Sequence, residues 1–242
     1  MNKKFLYLIA ARSGSKGVPN KNILNFDNIP ALGLRIISIL KSRFEGDIVC
    51  STDSPEYAAI AISFGACAPF MRPESISSDL ASSSAVISHA LEYLKDAENK
   101  IYDFIILIEP SSPFTRAKDI DSGISLLMSP ETDSVVSVKA SHISSDYLVP
   151  LKSDGDFSEF VQRARSKKDI RRQAQQPEYT PNGCFYGSSV KNFLDNNSIY
   201  GGKLKAFEME SNYSIEIDNM LDAQFALFLW EKNFIEKSNW VS

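Results

Sequence analysis

The residues between positions 10 and 22 have the chemical types needed to hold a phosphate group. Small Gly and Ser side chains let backbone N–H groups approach an oxyanion closely, and Arg12, Lys16 and Lys21 add positively charged donors. The spacing excludes a Walker A loop, because Lys16 is followed by Gly17 instead of Ser or Thr, and no G-x-G-x-x-G pattern occurs. The segment therefore predicts a phosphate-binding loop of another type. The alternative is a solvated basic turn after an edge strand.

A pair of carboxylates near the other end of the chain could bind a metal ion. Apolar and polar residues alternate over residues 214–218, which predicts a strand with Glu216 and Asp218 on one face. Two hard oxygen ligands suit Mg²⁺, which prefers few carboxylates together with phosphate and water. An exposed polar face on an edge strand produces the same pattern, so the two residues alone leave both interpretations open.

Two more polar loops could contribute to a ligand site. Residues 71–84 contain Arg72 and many hydroxyl groups. They form either a second wall of the site or a plain connection in which Asp79 or a serine caps the next helix. The other loop begins at Glu109, directly after the apolar run 104–108, which we predict to be the central strand. The carboxyl end of such a strand is expected to face the ligand.

Five segments, in this order along the chain, resemble those of the acylneuraminate cytidylyltransferases, also called CMP-sialic acid synthetases. They are Arg-Ser-Gly-Ser-Lys-Gly-Val-Pro-Asn-Lys-Asn-Ile at 12–23, Arg-Pro at 72–73 with Asp-x-Ala-Ser-Ser at 79–83, Glu-Pro-Ser-Ser-Pro-Phe-Thr-Arg at 109–116, Arg-Arg-Gln at 171–173 with Pro-Asn-Gly at 181–183, and Glu-x-Asp at 216–218. The chain departs from the family pattern at Glu109, where the family usually has Gln, and at Glu216, where it has Asp. The resemblance covers residues 8–218.

The resemblance implies a reaction in which the anomeric hydroxyl of a nonulosonic acid attacks the α-phosphorus of CTP, giving a CMP-sugar and pyrophosphate. It implies Mg²⁺ as cofactor and a homodimer whose sites are completed across the interface. The residues it assigns to catalysis are Arg12, Lys16, Lys21 and Asp218; to the nucleotide, Arg12, Ser13, Gly14, Ser15, Lys16, Asn22, Arg72 and Ser83; to the sugar acid, Glu109, Ser111, Arg172, Gln173 and Asn182; and to the metal, Glu216 and Asp218.

The identity of the sugar acid stays open at this stage. Kdo and bacterial analogues such as legionaminic or pseudaminic acid are alternatives within the class. A metal-dependent glycosyltransferase of similar sheet topology and a nucleotide-binding regulator are alternatives outside it. An ionised Glu109 can only accept hydrogen bonds and repels a carboxylate, so we expect the substrate to present a hydroxyl or amide N–H there.

The elements that must position these residues alternate between strand and helix. Apolar runs at 5–9 and 104–108 predict strands, residues 48–53 and 66–70 predict two more, and helical periodicity separates them. We predict an α/β fold with a Rossmann-like, mostly parallel sheet flanked by helices, of the nucleotidyltransferase type. Residues 1–139 and 182–242 would form this domain, and residues 140–181, long and weakly patterned, a small dimerisation extension.

Composition narrows the possible partners. The 242-residue chain has a net charge of −4, which gives no electrostatic reason to expect nucleic acid. Three widely spaced cysteines predict neither a disulfide framework nor a zinc site. Arg12 interrupts the first apolar run at about the minimum length for a signal peptide, and no other run approaches a membrane span. We therefore expect a cytoplasmic protein without a membrane partner.

Overall fold

A six-stranded sheet forms the centre of the part of the chain that the structure describes. The computed structural model describes residues 3–15, 17–78, 80–166 and 177–241, apart from the side chains of 163–166. The strands are β1 (Phe5–Ala10), β2 (Asn25–Phe26), β3 (Ile29–Pro30), β4 (Asp47–Ser51), β5 (Phe104–Ile108), β6 (Ser134–Ala140), β7 (Tyr179–Ser189) and β8 (Leu204–Glu208). The sheet has the order β4-β1-β5-β7-β6-β8, and β7 alone runs antiparallel to its neighbours, while β2 and β3 form a separate hairpin.

Helices cover both faces of this sheet. The described part of the chain contains α1 (Ala31–Leu40), α2 (Pro55–Ser63), α3 (Ser83–Glu98), α4 (Ala117–Leu127), α5 (Ser158–Ser166), α6 (Val190–Asn196) and α7 (Met220–Glu231). Because strand side chains alternate, Tyr7 and Ile9 face α1, α2 and α4, whereas Leu6 and Leu8 face α3 and α6. Burial on both faces explains why β1 and β5 are apolar throughout. The predicted α/β fold with a mostly parallel sheet is confirmed. Among the described helices, none has the length and apolar character required to cross a bilayer.

Side-chain caps set where several helices begin. The Ser54 hydroxyl accepts a hydrogen bond from the backbone N–H of Tyr57 and caps the start of α2. Ser82 accepts from the N–H of Ala85 and is the serine that caps α3. These caps place the first turn of α3 beside the hydroxyl-rich loop 71–84.

Two predicted strands are wrong. Residues 66–70 form one isolated bridge to β4, from Cys67 to Val49, rather than a continuous strand, and a second isolated bridge joins Met71 to Thr52. Residues 214–218 belong to no sheet, because β8 ends at Glu208 and the turn 211–213 separates these residues from it. Sequence reasoning also missed the β2–β3 hairpin, in which Asp27 and Asn28 both have positive φ.

The predicted extension leaves and re-enters the sheet at adjacent positions. The end of β6 at Ala140 pairs with the start of β7 at Tyr179. Between them, the described part contains a short turn at 145–147 and α5. The extension is therefore the connection between two antiparallel neighbours, and β7 begins before the predicted boundary at 181.

Candidate active site

A cleft lies where the parallel strands β1, β4 and β5 end. Their carboxyl ends lie side by side because both neighbours of β1 are parallel to it. The loops that follow enclose a cavity of about 220 Å³. Its lining includes these residues that the sequence assigns to the site: Arg12, Ser15, Lys21, Asn22, Arg72, Ser83, Glu109, Ser111, Glu216 and Asp218. Four of the five resembling segments therefore meet in one place.

The loop after β1 is held by its own side chains and by β4. Arg12 Nη1 donates to the carbonyl of Gly14 at 3.1 Å, and Asn22 Nδ2 donates to the carbonyl of Arg12 at 2.9 Å. The backbone N–H and the hydroxyl of Ser13 both donate to the Asp53 carboxylate, at 2.8 and 3.1 Å. The Ser13 amide, predicted to face a phosphate, is therefore already paired. Asp53, at the end of β4, was not assigned a role from sequence.

The loop contacts the segment that carries the two carboxylates. Lys21 Nζ donates to the carbonyl of Ile217 at 2.8 Å and to Asp218 Oδ1 at 3.1 Å. A Cβ on Gly17 would lie 2.2 Å from the carbonyl oxygen of Asp218, so any other residue would push the two segments apart. Glycine at this position permits the close approach.

Arg72 is fixed beneath one wall of the cleft. Its side chain is buried, Nε donates to the Ser51 hydroxyl at 3.0 Å, and Nη2 donates to the Ser51 carbonyl. Burial lowers the pKa of Arg72, an effect that the nearby Asp53 opposes. Ser83, the first residue of α3, also lines the cleft. The two residues that the resemblance assigns to cytidine thus line the same cleft.

Glu109 and Ser111, at the end of β5, form the floor. The Ser111 carbonyl accepts a hydrogen bond from the Ile217 N–H at 2.8 Å. This bond connects the floor to residues 214–218, the acidic segment. Burial, together with repulsion from Glu216, raises the pKa of the Glu109 carboxyl to about 7. The same causes, with Asp218 as the repelling charge, raise the pKa of Glu216. Near neutral pH, Glu109 can therefore donate as well as accept a hydrogen bond, a property absent from the sequence-based expectation of an ionised group.

A large bulge in β7 supports the floor from behind. Val136 pairs with Tyr186, whereas Val138 pairs with Pro181, so residues 182–185 bulge out of the ladder. The Ser137 hydroxyl fills the gap, donating to Asn182 Oδ1 at 2.5 Å and accepting from the N–H of Phe185 at 2.9 Å.

Within this bulge the structure places Asn182 behind the cleft. Its side chain is fully buried, and Nδ2 donates to the Ser214 hydroxyl at 2.9 Å. Gly183 has a φ of +70°, and a Cβ there would lie 2.7 Å from Ser112 Oγ and 2.8 Å from Glu216 Oε1. The bulge therefore presses against Glu216 directly, and Asn182 supports the acidic segment through Ser214.

Arg116 holds the other side of the acidic segment and was also missed from sequence. It binds both oxygens of Asp119, at 2.8 and 2.9 Å, and Glu210 Oε1 at 3.1 Å, and it lies 3.6 Å from the ring centroid of Tyr213. These contacts link α4 to the residues just before 214–218. The sequence feature that could have identified this residue is a positively charged side chain at the end of the loop 109–116.

Three assigned residues, Lys16, Arg172 and Gln173, lie outside the described residues. Ser13 and Gly14 lie in the first loop without lining the cavity. No group of three or more potential metal ligands of the His, Cys, Asp and Glu types occurs in the described ranges. The pair of Glu216 and Asp218 nevertheless fits Mg²⁺, since both lie on the cleft and the ion takes few protein carboxylates.

Comparisons with known proteins agree with this arrangement. A family model described as Cytidylyltransferase matches residues 6–237. The chain is 33% identical to an N-acylneuraminate cytidylyltransferase of Escherichia coli O18:K1:H7, over 98% of this chain and 54% of that protein. It is 28% identical to a pseudaminic acid cytidylyltransferase of Campylobacter jejuni, over 95% of this chain and 97% of the relative. The chain thus spans about half the length of the first relative and nearly all of the second.

Among solved structures, a CMP:2-keto-3-deoxy-manno-octonic acid synthetase complexed with CTP is similar with a TM-score of 0.67 and 15% identity, covering 95% of this chain and 99% of that one. At that identity the likeness concerns the fold.

Proposed function

The chain belongs to the cytidylyltransferase family, and on that premise we propose that it activates a nonulosonic acid, with CTP and the acid giving a CMP-sugar and pyrophosphate. The observation that carries the proposal is the single cleft in which loop cations, Arg72 and two carboxylates converge. This arrangement suits a triphosphate at one end and a sugar acid at the other. Relatives named for acylneuraminate, pseudaminic and legionaminic acids support the substrate class.

Positioning and charge neutralisation carry most of the catalysis in such a transfer. Arg12 and Lys21 bind the triphosphate and stabilise the negative charge of the departing pyrophosphate. Asn22 keeps the loop closed by bonding the Arg12 carbonyl. Arg72 and Ser83 orient the cytidine. The anomeric hydroxyl then attacks the α-phosphorus: its oxygen forms the new P–O bond, the bond to pyrophosphate breaks, and the hydroxyl proton is released to solvent.

Glu216 and Asp218 would hold Mg²⁺ at the same end of the cleft. When bound, Mg²⁺ neutralises phosphate charge and makes the attacking hydroxyl more acidic. Lys21 pairs with Asp218 Oδ1 at 3.1 Å, so this lysine helps to hold the carboxylate that would bind the ion. A rise in the Mg²⁺ requirement of an Asp218 variant is the corresponding test.

Glu109 and Ser111 lie where the sugar acid would meet the floor. A carboxyl that can donate and accept at neutral pH matches a hydroxyl or an amide of the substrate, and a mismatched partner would leave a buried polar group unpaired. The Glu109 carboxyl therefore contributes to the choice among sugar acids.

We also propose that the active form is a homodimer located in the cytoplasm, where CTP is available. The connection between β6 and β7 exposes large apolar side chains, including Ile143, Leu148 and Leu151. A groove beside it is lined by Ile143, Leu148 and by Phe225 of α7. Apolar side chains exposed on neighbouring elements favour a second copy as the partner.

The reaction is tested by incubating the chain with CTP, Mg²⁺ and a panel of sugar acids and measuring pyrophosphate. Release that depends on both CTP and one acid supports the proposal. Transfer from a nucleotide sugar without pyrophosphate would instead identify a glycosyltransferase, and CTP binding without turnover would identify a regulator.

The dimer is tested by mixing two inactive chains, Lys21→Ala and Arg172→Ala. If Arg172 reaches the neighbouring site, one of the two sites in a mixed dimer is intact and activity returns. No rescue after verified subunit exchange, or a monomer by sedimentation, would contradict the proposal.

A further inference from the structure

Tyr57 of α2 has a buried ring whose hydroxyl reaches the first loop of the cleft. The ring packs in the core on the face of the sheet that α1, α2 and α4 cover. The hydroxyl donates to Asn20 Oδ1 at 3.1 Å. Asn20 is exposed and lies in the loop 10–22, far from Tyr57 along the chain. Because a phenylalanine ring would fill the same core space, packing alone does not account for the hydroxyl.

Asn20 has an unusual backbone conformation near the end of this loop. Its φ of 56° and ψ of 27° are left-handed, a region that Asn tolerates better than most residues. Lys21 comes next and donates to the Ile217 carbonyl at 2.8 Å. Asn22 follows and donates to the Arg12 carbonyl at 2.9 Å. The direction of the chain at Asn20 therefore determines where these two cleft residues lie.

The start of the same loop is held by the same part of the fold. Asp53 follows β4, and its carboxylate accepts hydrogen bonds from the N–H and the hydroxyl of Ser13. The next residue, Ser54, caps α2 by accepting from the N–H of Tyr57 at 3.3 Å. Asp53, Ser54 and Tyr57 thus belong to one short junction between β4 and α2. This junction contacts the loop at two points, Ser13 near its start and Asn20 near its end.

We propose that Tyr57 is a positioning residue that holds the loop 10–22, through Asn20, in the conformation that accepts a triphosphate. The inference rests on the proposed function. Tyr57 is not among the residues that line the cleft, so it acts through the loop alone. A loop that is fixed before binding has less conformational freedom to lose when the ligand arrives, which raises affinity. Removing the hydroxyl should therefore weaken binding of the phosphates more than binding of the cytidine.

The test compares Tyr57→Phe with Tyr7→Phe as matched control. Tyr7 is equally buried, and its hydroxyl also donates to a distant partner, the Phe44 carbonyl, at 2.6 Å. Phe44 lies between α1 and β4, at the end of β4 opposite the cleft. The dissociation constants of CTP and CMP are measured by calorimetry without sugar acid, so that no turnover is required. Urea unfolding reports the stability of each chain.

We expect Tyr57→Phe to raise the dissociation constant of CTP about fivefold, the effect of one hydrogen bond, and that of CMP by less than about twofold. Tyr7→Phe should leave both constants within about twofold while it loses a similar amount of stability. Asn20→Gly removes the same bond from the loop side and permits the left-handed conformation. Adding Tyr57→Phe to Asn20→Gly should therefore have little further effect on CTP binding.

Unchanged CTP affinity in Tyr57→Phe, an equal loss for CTP and CMP, or additive losses in the double variant would overturn the proposal. If Tyr57→Phe does not fold, Asn20→Gly decides alone, and CTP binding as tight as in the unmodified chain would have the same meaning.

Hydrogen exchange of residues 17–23 without ligand separates this inference from the proposed function. Exchange should be faster in Tyr57→Phe than in Tyr7→Phe, because the loop has lost one support. An unmodified chain that binds no CTP would overturn the proposed function, whereas exchange would still decide whether Tyr57 fixes the loop. Equal exchange in the two variants would overturn the inference alone.

Discussion

Replacing Glu109 with Gln should change how stability depends on pH. The carboxyl has an ordinary pKa of 4.5, and burial together with repulsion from Glu216 raises it to about 7 in the folded chain. The folded state therefore holds this proton more tightly than the unfolded state. Its stabilising contribution is fully present below pH 4.5 and is lost as the pH rises through about 7.

The size of this pH-dependent loss of stability follows from the difference between the two pKa values. The difference between 4.5 and about 7 corresponds to about 3.5 kcal/mol, at about 1.4 kcal/mol for each pKa unit. Glu216 repels Glu109 and can take up a proton in its place, which makes this value an upper bound for the single group. A glutamine at this position keeps the shape of the side chain but cannot ionise, so the variant should lack this pH-dependent loss.

The assay is urea unfolding of both chains, without nucleotide and with EDTA, at pH values of about 4.5, 6 and 7.5, which span the titration of the carboxyl. The difference between their unfolding free energies should change by up to about 3 kcal/mol over this range, in favour of the Gln variant at high pH. Exposed Glu45→Gln is the matched control. A difference that is independent of pH would mean that Glu109 is solvated in solution, and the account of the floor would be wrong.

Three further predictions concern the loops. Gly17→Ala places a Cβ 2.2 Å from the Asp218 carbonyl and should lower turnover on the order of 10²-fold, whereas Gly14→Ala in the same loop, with nothing within 4 Å of its Cβ, should lower turnover much less; equal kinetics for both would refute the close approach. Asp218→Asn removes an anionic ligand, so the Mg²⁺ concentration needed for half-maximal turnover should rise on the order of tenfold. An unchanged Mg²⁺ requirement would mean that Asp218 does not bind the metal. Asp53→Ala releases the two bonds to Ser13 and should raise the KM for CTP on the order of tenfold; an unaltered KM would leave Asp53 without influence on the loop.

The sequence predicted the parts of the fold that depend on local pattern. The apolar run 104–108, predicted to be the central strand, is β5 at its stated boundaries. Once the strands are parallel, their carboxyl ends must lie together, which is why the loops at 12–22 and 109–116 were expected to face the ligand. The sheet topology, more than any single motif, therefore predicts that these loops form one cleft.

The contacts that stabilise the site could not be predicted from the sequence, because they join residues that are far apart along the chain. Nothing near Ser137 in sequence indicates that its hydroxyl will occupy a gap opposite residues 182–185. The alternation over 214–218 predicts a strand, yet no sheet edge is available there among the described residues, and tertiary contacts override the local preference. Arg35 looks like a polar residue at the border of an amphipathic helix until the bulge of β7 is placed against it.

The absence of a ladder along 214–218 has a consequence for the two carboxylates. Within the described chain, this segment is held by the backbone bond from Ile217 to Ser111 and by side chains that reach it from separate elements, Lys21 and Asn182 among them. A strand would fix Glu216 and Asp218 by repeated backbone pairing, whereas side-chain contacts fix them individually. Removing one support should therefore displace the carboxylates while the sheet stays folded. Substitutions at Asn182 or Ser137 should thus reduce turnover more than they reduce stability, although neither residue lines the cleft.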